Sequence, residues 1–138
     1  MDVVARGLMV AGLFVYAGIH LLQGIVPPDS APAWLRLAFV LSALAAVGLG
    51  VALVALPPRR SGRWMDLAAL LALASGVALA LSFTTGLAGV SESDLRLATL
   101  GVVIAELVIL HAWLGNRLVG REFDEVEDPV PDLRTPGE

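Results

Sequence analysis

The sequence contains no cysteine and no lysine. Without cysteine there are no disulfides, no thiolate metal sites, no iron–sulfur clusters and no cysteine nucleophile. Without lysine all nine basic residues are arginine, and beside abundant alanine, glycine, leucine and valine we read this as the mark of a GC-rich prokaryotic genome. Charge is scarce too, with Asp, Glu, Lys and Arg making up 16% of the chain, and the net charge of −4 comes from the C-terminal segment. No basic patch is available to grip phosphates, which excludes nucleic acid as a partner. The motifs of a hydrolase elbow, a zinc protease, a phosphate loop and a paired-carboxylate site are all missing, so independent catalysis is not expected.

What the 138 residues do contain is apolar surface: 57% are hydrophobic and the mean hydropathy is +0.82. A water-soluble domain carries less, and a chain this apolar belongs in a lipid bilayer. Four runs, over about 3–26, 34–56, 64–88 and 95–115, are each long enough to cross a hydrocarbon core of about 30 Å at about 1.5 Å per residue. The breaks between them carry Pro27-Pro28-Asp29, Pro57-Pro58-Arg59-Arg60 and Ser91-Glu92-Ser93-Asp94. Proline pairs stop helices because they lack an amide proton and clash with the preceding turn. Connections this short force neighbouring helices to run antiparallel. The predicted fold is therefore all-α: a polytopic membrane protein with an antiparallel bundle of four transmembrane helices over 1–116. The acidic segment 117–138, with Glu122, Asp124, Glu125, Glu127, Asp128 and three late prolines, reads as a disordered tail.

Arginine placement sets the orientation. Arg6, the Arg59/Arg60/Arg63 cluster, Arg117 and Arg121 fall on one side and only Arg36 and Arg96 on the other, so the first side, with both termini, is cytoplasmic and the host is a prokaryotic plasma membrane. Trp34, Trp64 and Trp113 mark ends of crossings, where an indole keeps its N–H wet. The first run is longer than the apolar core of a signal peptide, begins with Asp2 and has proline inside its Ala31-Pro32-Ala33 triplet; it reads as a retained anchor.

In lipid, helices associate through close approach at small residues and through shared polar contacts. On helix three, Ala68, Ala72, Gly76, Ala80 and Thr84 recur every fourth residue as one ridge, and helix two repeats the device with Ser42, Ala46 and Gly50. Packing within the bundle is the first use of these ridges; a homo-oligomer or another membrane subunit is the second.

Polar residues inside the spans are costly and so mark something. They are His20, Glu106 and His111, with Tyr16 and Gln23 beside them. Tyr16, His20 and Gln23 lie within about 60° of one another on helix one, and Thr99, Glu106 and Trp113 share a face of helix four. His20 is about 9 Å and Glu106 about 16 Å below the outer surface, but side chains lean toward their own helix N-terminus, which brings the two toward a common level. A His20–Glu106 hydrogen bond is thus geometrically reasonable if helices one and four are neighbours. Such a pair has three uses: structural glue, a proton relay, or contact with a ligand such as a quinone headgroup or a haem. Haem is the poorest fit, because His20 and His111 fall near opposite faces, and His20 with Glu106 alone is too small a ligand set for a metal. His111 sits near the inner interface and snorkels to water. Ser82, Thr84 and Thr85 lie where they can line an outer cavity.

The run Arg6-Gly7-Leu8 followed by Gly12-Leu13-Phe14-Val15-Tyr16-Ala17-Gly18-Ile19-His20-Leu21 resembles the first helix of DoxX-like small four-helix membrane proteins, in which an arginine near the start and a Phe-x-x-x-Gly segment precede a basic or polar residue. This chain has His20 where many relatives have lysine. The resemblance implies a non-catalytic membrane subunit, in some members part of sulfur-compound or quinone-linked oxidoreductases. The expected function is accordingly a small accessory or structural subunit of a larger membrane complex, redox-linked or respiratory. The alternatives are a small transport or proton-conducting bundle using His20 and Glu106, and a quinone or lipid binder.

Overall fold

The computed structural model describes residues 3–26, 32–57, 60–84 and 97–126, and among these it does not describe the side chains of 84 and 119–126. Four helices account for nearly all of them: α1 (Val3–Ile25), α2 (Ala33–Ala55), α3 (Gly62–Thr84) and α4 (Leu97–Val126). There is no strand among the described residues. All four helices are long and apolar enough to cross a membrane by length and composition. Each turns most of its apolar span outward, with Leu22, Leu44, Val54, Leu70 and Val77 among the exposed side chains. In water so large a surface would drive association; lipid covers it at no cost.

The ends of α2 and α3 are closed by local bonds. Pro32 precedes α2 in an extended conformation (φ −66°, ψ 153°), and its carbonyl accepts the amides of Leu35 and Arg36 at 3.0 and 3.3 Å. Proline suits this place because its fixed φ is compatible with the turn into a helix and no amide proton is wasted. Ser61, fully buried, accepts the Met65 amide on its carbonyl at the start of α3. The C-terminus of α2 is closed from another helix. Nη2 of Arg6, on α1, sits among the carbonyl oxygens of Leu53, Val54 (3.0 Å) and Leu56 (2.7 Å).

The helices form a ring in chain order, α1 against α2 and α4, and α3 closing it against α4 and α2. The joints are unequal: α1 is wedged tightly between α2 and α4, whereas α2 and α3 touch least of the neighbouring pairs. Glycines make the tight joints. A Cβ at Gly12 would stand 2.9 Å from Ile109 Cγ1 and 3.3 Å from the Ala105 carbonyl oxygen, and one at Gly24 would stand 2.7 Å from Val40 Cγ2. At Gly50 the ring of Phe14 fills the space, 3.3 Å from where a Cβ would be.

The ridge on α3 is used over half its length. Ala68 and Ala72 are buried, Gly76 is half-buried with Glu106 Oε2 at 3.3 Å from where its Cβ would be, and Ala80 is exposed. Thr84's side chain and Thr85 lie outside the described residues. Within the bundle, and among the described residues, the expected ridge is buried at Ala68 and Ala72 and gives way to an exposed Ala80 beyond Gly76. On α2, Ala46 and Gly50 are buried as packing residues, but Ser42 is half-buried and faces a cavity instead. A correction concerns the segment read as an irregular tail from residue 117. Helix α4 continues through Val126. Residues 127–138 lie outside the described part.

The topology gathers Arg6, Arg60, Arg63 and Arg117 at one end of the bundle and Arg36 at the other. At the arginine-rich end Asp66, on α3, accepts a hydrogen bond from Trp113 Nε1 (2.8 Å) and an ion pair from Arg117, whose guanidinium also lies 6.0 Å from the Trp113 ring centre. Both charged partners are about half exposed, so the pair ties α3 to α4 weakly and mainly fixes the indole.

Candidate functional site at the arginine-poor end of the bundle

The end opposite the arginines contains a cavity of about 320 Å3 to which all four helices contribute. Its polar lining comes from Tyr16, His20 and Gln23 on α1, Ser42 on α2, Ser75 and Ser82 on α3 and Thr99 on α4. Trp34, Phe39, Leu35, Leu71, Leu79 and Val102 with several alanines supply the apolar walls. A space of this size falls at the lower end of the range for small-molecule sites, about 300–1,000 Å3, and has their usual make-up of apolar walls with a few convergent polar groups.

The helical period brings Tyr16, His20 and Gln23 to one face of α1, since four and seven residues are close to whole turns. The three are then held differently. His20 stacks on Tyr16, ring centres 3.9 Å apart and planes 21° apart, and meets Phe39 edge-on at 5.5 Å and 78°. Its Nδ1 lies 3.1 Å from the Tyr16 carbonyl oxygen. A carbonyl can only accept, so Nδ1 carries the proton and donates it. Tyr16 is almost fully buried, at 1% exposure, its hydroxyl included. Ser42 and Ser75 stand against it, yet neither completes a hydrogen bond of good geometry, and the phenol oxygen is left without a partner. Gln23 Oε1 is likewise buried and unpaired. Ser82 donates back to the Leu79 carbonyl at 2.8 Å, a local bond that leaves its oxygen able to accept.

Glu106 is 5% exposed and lies next to Ser75, Tyr16 and Gly76, just outside the cavity lining. Its Oε1 has no hydrogen-bond partner. The helices that carry His20 and Glu106 are neighbours, but no hydrogen bond joins the two side chains among the described residues; the Tyr16 ring takes the place beside His20, and Ser75 takes the place beside Glu106. Direct proton transfer between His20 and Glu106 has no bond to travel along. His111 is exposed and donates from Nδ1 to the Leu107 carbonyl. No cluster of three or more His, Asp or Glu side chains is placed to hold a metal among the described residues.

The chain has been compared with family models, with curated proteins and with solved structures. None of them matches it. The site therefore has to speak through its own chemistry. Two of its members, Ser75 and Phe39, carry no distinctive signal in the sequence; Ser75 hides beside Gly76 of the small-residue ridge and Phe39 among apolar neighbours. Asp66 escaped notice for a related reason, since two residues past Trp64 it looks like the edge of a span.

The unpaired carboxyl oxygen gives a test of whether Glu106 holds the bundle together. A buried polar atom without a partner costs about 1–3 kcal/mol, and replacing such a group by an apolar one of similar volume is commonly neutral or stabilising. Glu106→Met is accordingly expected to raise stability by about 1–2 kcal/mol in reversible unfolding of the detergent-solubilised protein. A loss of the same size would show that Glu106 serves as structural glue.

Proposed function

We propose that the chain is a non-catalytic membrane protein that holds an amphipathic small molecule, a quinone or another lipid. The headgroup occupies the polar cavity and the apolar body lies along the joint between α2 and α3. One observation carries this reading. A second cleft of about 650 Å3, lined by Ala45, Gly48, Leu49, Ala52, Trp64, Leu67 and Leu70, shares Leu71 and Ala74 with the cavity. The two spaces thus adjoin at these residues, the cavity with polar groups in its lining and the cleft apolar. Amphiphiles have that division, and α2 and α3 are also the neighbours in least contact, which leaves a way in from the bilayer.

The setting proposed is the plasma membrane of a prokaryote with both termini in the cytoplasm. What supports it is the gathering of Arg6, Arg60, Arg63 and Arg117 at the end where α1 begins, together with the rule that arginine and lysine stay inside. The residues of this chain bind and orient; reaction of the ligand is assigned to a partner in a larger membrane complex, redox-linked if the ligand is a quinone. The likeness of α1 to DoxX-like proteins supports the same accessory role.

The test is native mass spectrometry of the protein purified in mild detergent. Bound quinone or lipid is expected in stoichiometric amount. It should be lost in Ala38→Phe, which fills the cavity from α2, while the circular dichroism of the helices is unchanged. A wild-type protein that carries nothing, and takes up neither decylubiquinone nor a prenol when they are added, overturns the reading.

A further inference from the structure

We infer that the cavity selects a headgroup that donates a hydrogen bond, an uncharged hydroxyl as in a prenol or a quinol, over a headgroup that only accepts. The inference rests on the ligand-binding role proposed above and names the chemistry of the ligand.

The argument is a count of donors and acceptors. His20 spends its Nδ1 proton on the Tyr16 carbonyl. With an aromatic ring on each side and no carboxylate bonded to it among the described residues, the imidazole is best held uncharged, since burying a lone charge among apolar groups is costly. In that form Nε2 is a lone pair and can only accept. No protein group donates to it among the described residues. Gln23 presents a second acceptor, its Oε1, buried and unpaired. The Tyr16 hydroxyl, unpaired as well, can give or take.

A hydroxyl satisfies this set: its proton goes to His20 Nε2 or Gln23 Oε1, and its oxygen receives the proton of Tyr16 or Thr99. A quinone carbonyl or a methyl ether brings lone pairs only; Tyr16, Thr99 and the Gln23 amide can donate to it, but the Nε2 lone pair of His20 is then left unpaired. A phosphate headgroup fares worse, because no arginine lines the cavity among the described residues. Sites built to hydrogen-bond a hydroxyl reject analogues that lack it more strongly than apolar pockets reject a change of size, because the site's own groups are then left unpaired.

The experiment compares geranylgeraniol with geranylgeranyl methyl ether, which keep one apolar body and one oxygen and differ in the donated proton. Binding is read by native mass spectrometry on the full-length wild-type protein in detergent, with decylubiquinone as a third ligand. The alcohol is expected to bind at least about tenfold more tightly than the ether or the quinone. His20→Phe is expected to abolish the advantage over the ether; an advantage that persists there overturns the assignment to His20. Equal affinity of alcohol and ether in the wild type, or binding of decylubiquinone alone, overturns the inference and leaves the ligand-binding role standing. Binding of none of the three removes that role and the inference with it. The wild-type comparison decides the matter even if the variant does not fold.

Discussion

Gly12→Leu is expected to unfold the bundle or to leave it more than about 3 kcal/mol less stable, beyond the usual range for overpacking a core. The physical reason is the place where its Cβ would stand, 2.9 Å from Ile109 Cγ1 and 3.3 Å from the Ala105 carbonyl oxygen. The first contact is with the branch of a side chain that is itself buried at 1% exposure, and the second is with backbone, which cannot swing aside. Everything beyond the Cβ of a leucine has to displace α4 from α1. Gly12→Ala is expected to cost less, because the helix gains up to about 1 kcal/mol when alanine replaces glycine. The control is on the same helix: Gly18 is exposed and has nothing within 4 Å of its added Cβ, so Gly18→Leu should be close to neutral. Thermal unfolding in detergent with size-exclusion chromatography separates the two. Comparable losses at both sites would mean that glycine acts on α1 through backbone flexibility and not through close approach.

That contrast also marks where the sequence was legible. Four crossings, their approximate ends and their antiparallel order follow from run length, proline pairs and loop length. These are constraints that act on each segment alone. The choice of partner for each helix is a property of pairs, and lipid-facing and helix-facing positions draw on the same apolar residues. The repeat on α3 stood out because Ala68, Ala72, Gly76 and Ala80 are evenly spaced, yet the tightest packing belongs to α1, where Gly12 and Gly24 are far apart and no repeat announces them. An even spacing on one helix is a local pattern, and close contact needs a second helix to meet it.

The polar site divides in the same way. Tyr16, His20 and Gln23 could be placed together because one helix fixes their spacing. Thr99 joins them at the cavity, an outcome that depends on α4 standing beside α1. The bond from His20 to Glu106 looked reasonable on depth alone, since a one-dimensional estimate has no place for a third ring. In the folded chain Tyr16 lies over His20 and Ser75 lies against Glu106, so the two ionisable groups are near neighbours of one tyrosine and not of each other.

Arg6→Ala is expected to cost about 2–4 kcal/mol, which makes it the most damaging loss of a charge among the described residues. Arginine at this position reads in the sequence as a topology signal, and its charge does lie at the arginine-rich end. Its guanidinium has a second task, because Nη2 is shared among the carbonyls of Leu53, Val54 and Leu56. These are among the carbonyls that a helix end leaves without an amide, and Leu53 is fully buried. A cation there also faces the negative end of the helix dipole. Removing it strands carbonyls at the level where the bilayer begins, and a bond from a charged donor is worth about 1.5–3 kcal/mol. Arg6→Lys should recover part of the loss, since an ammonium has three donors but its stem ends short of the guanidinium's reach. The loss should be local as well as global: hydrogen exchange is expected to quicken at the amides of the last turn of α2, while those around Gly12 stay protected. A loss below about 0.5 kcal/mol would mean that water takes over the carbonyls without difficulty, and the role of Arg6 would then reduce to its charge at the arginine-rich end of the bundle.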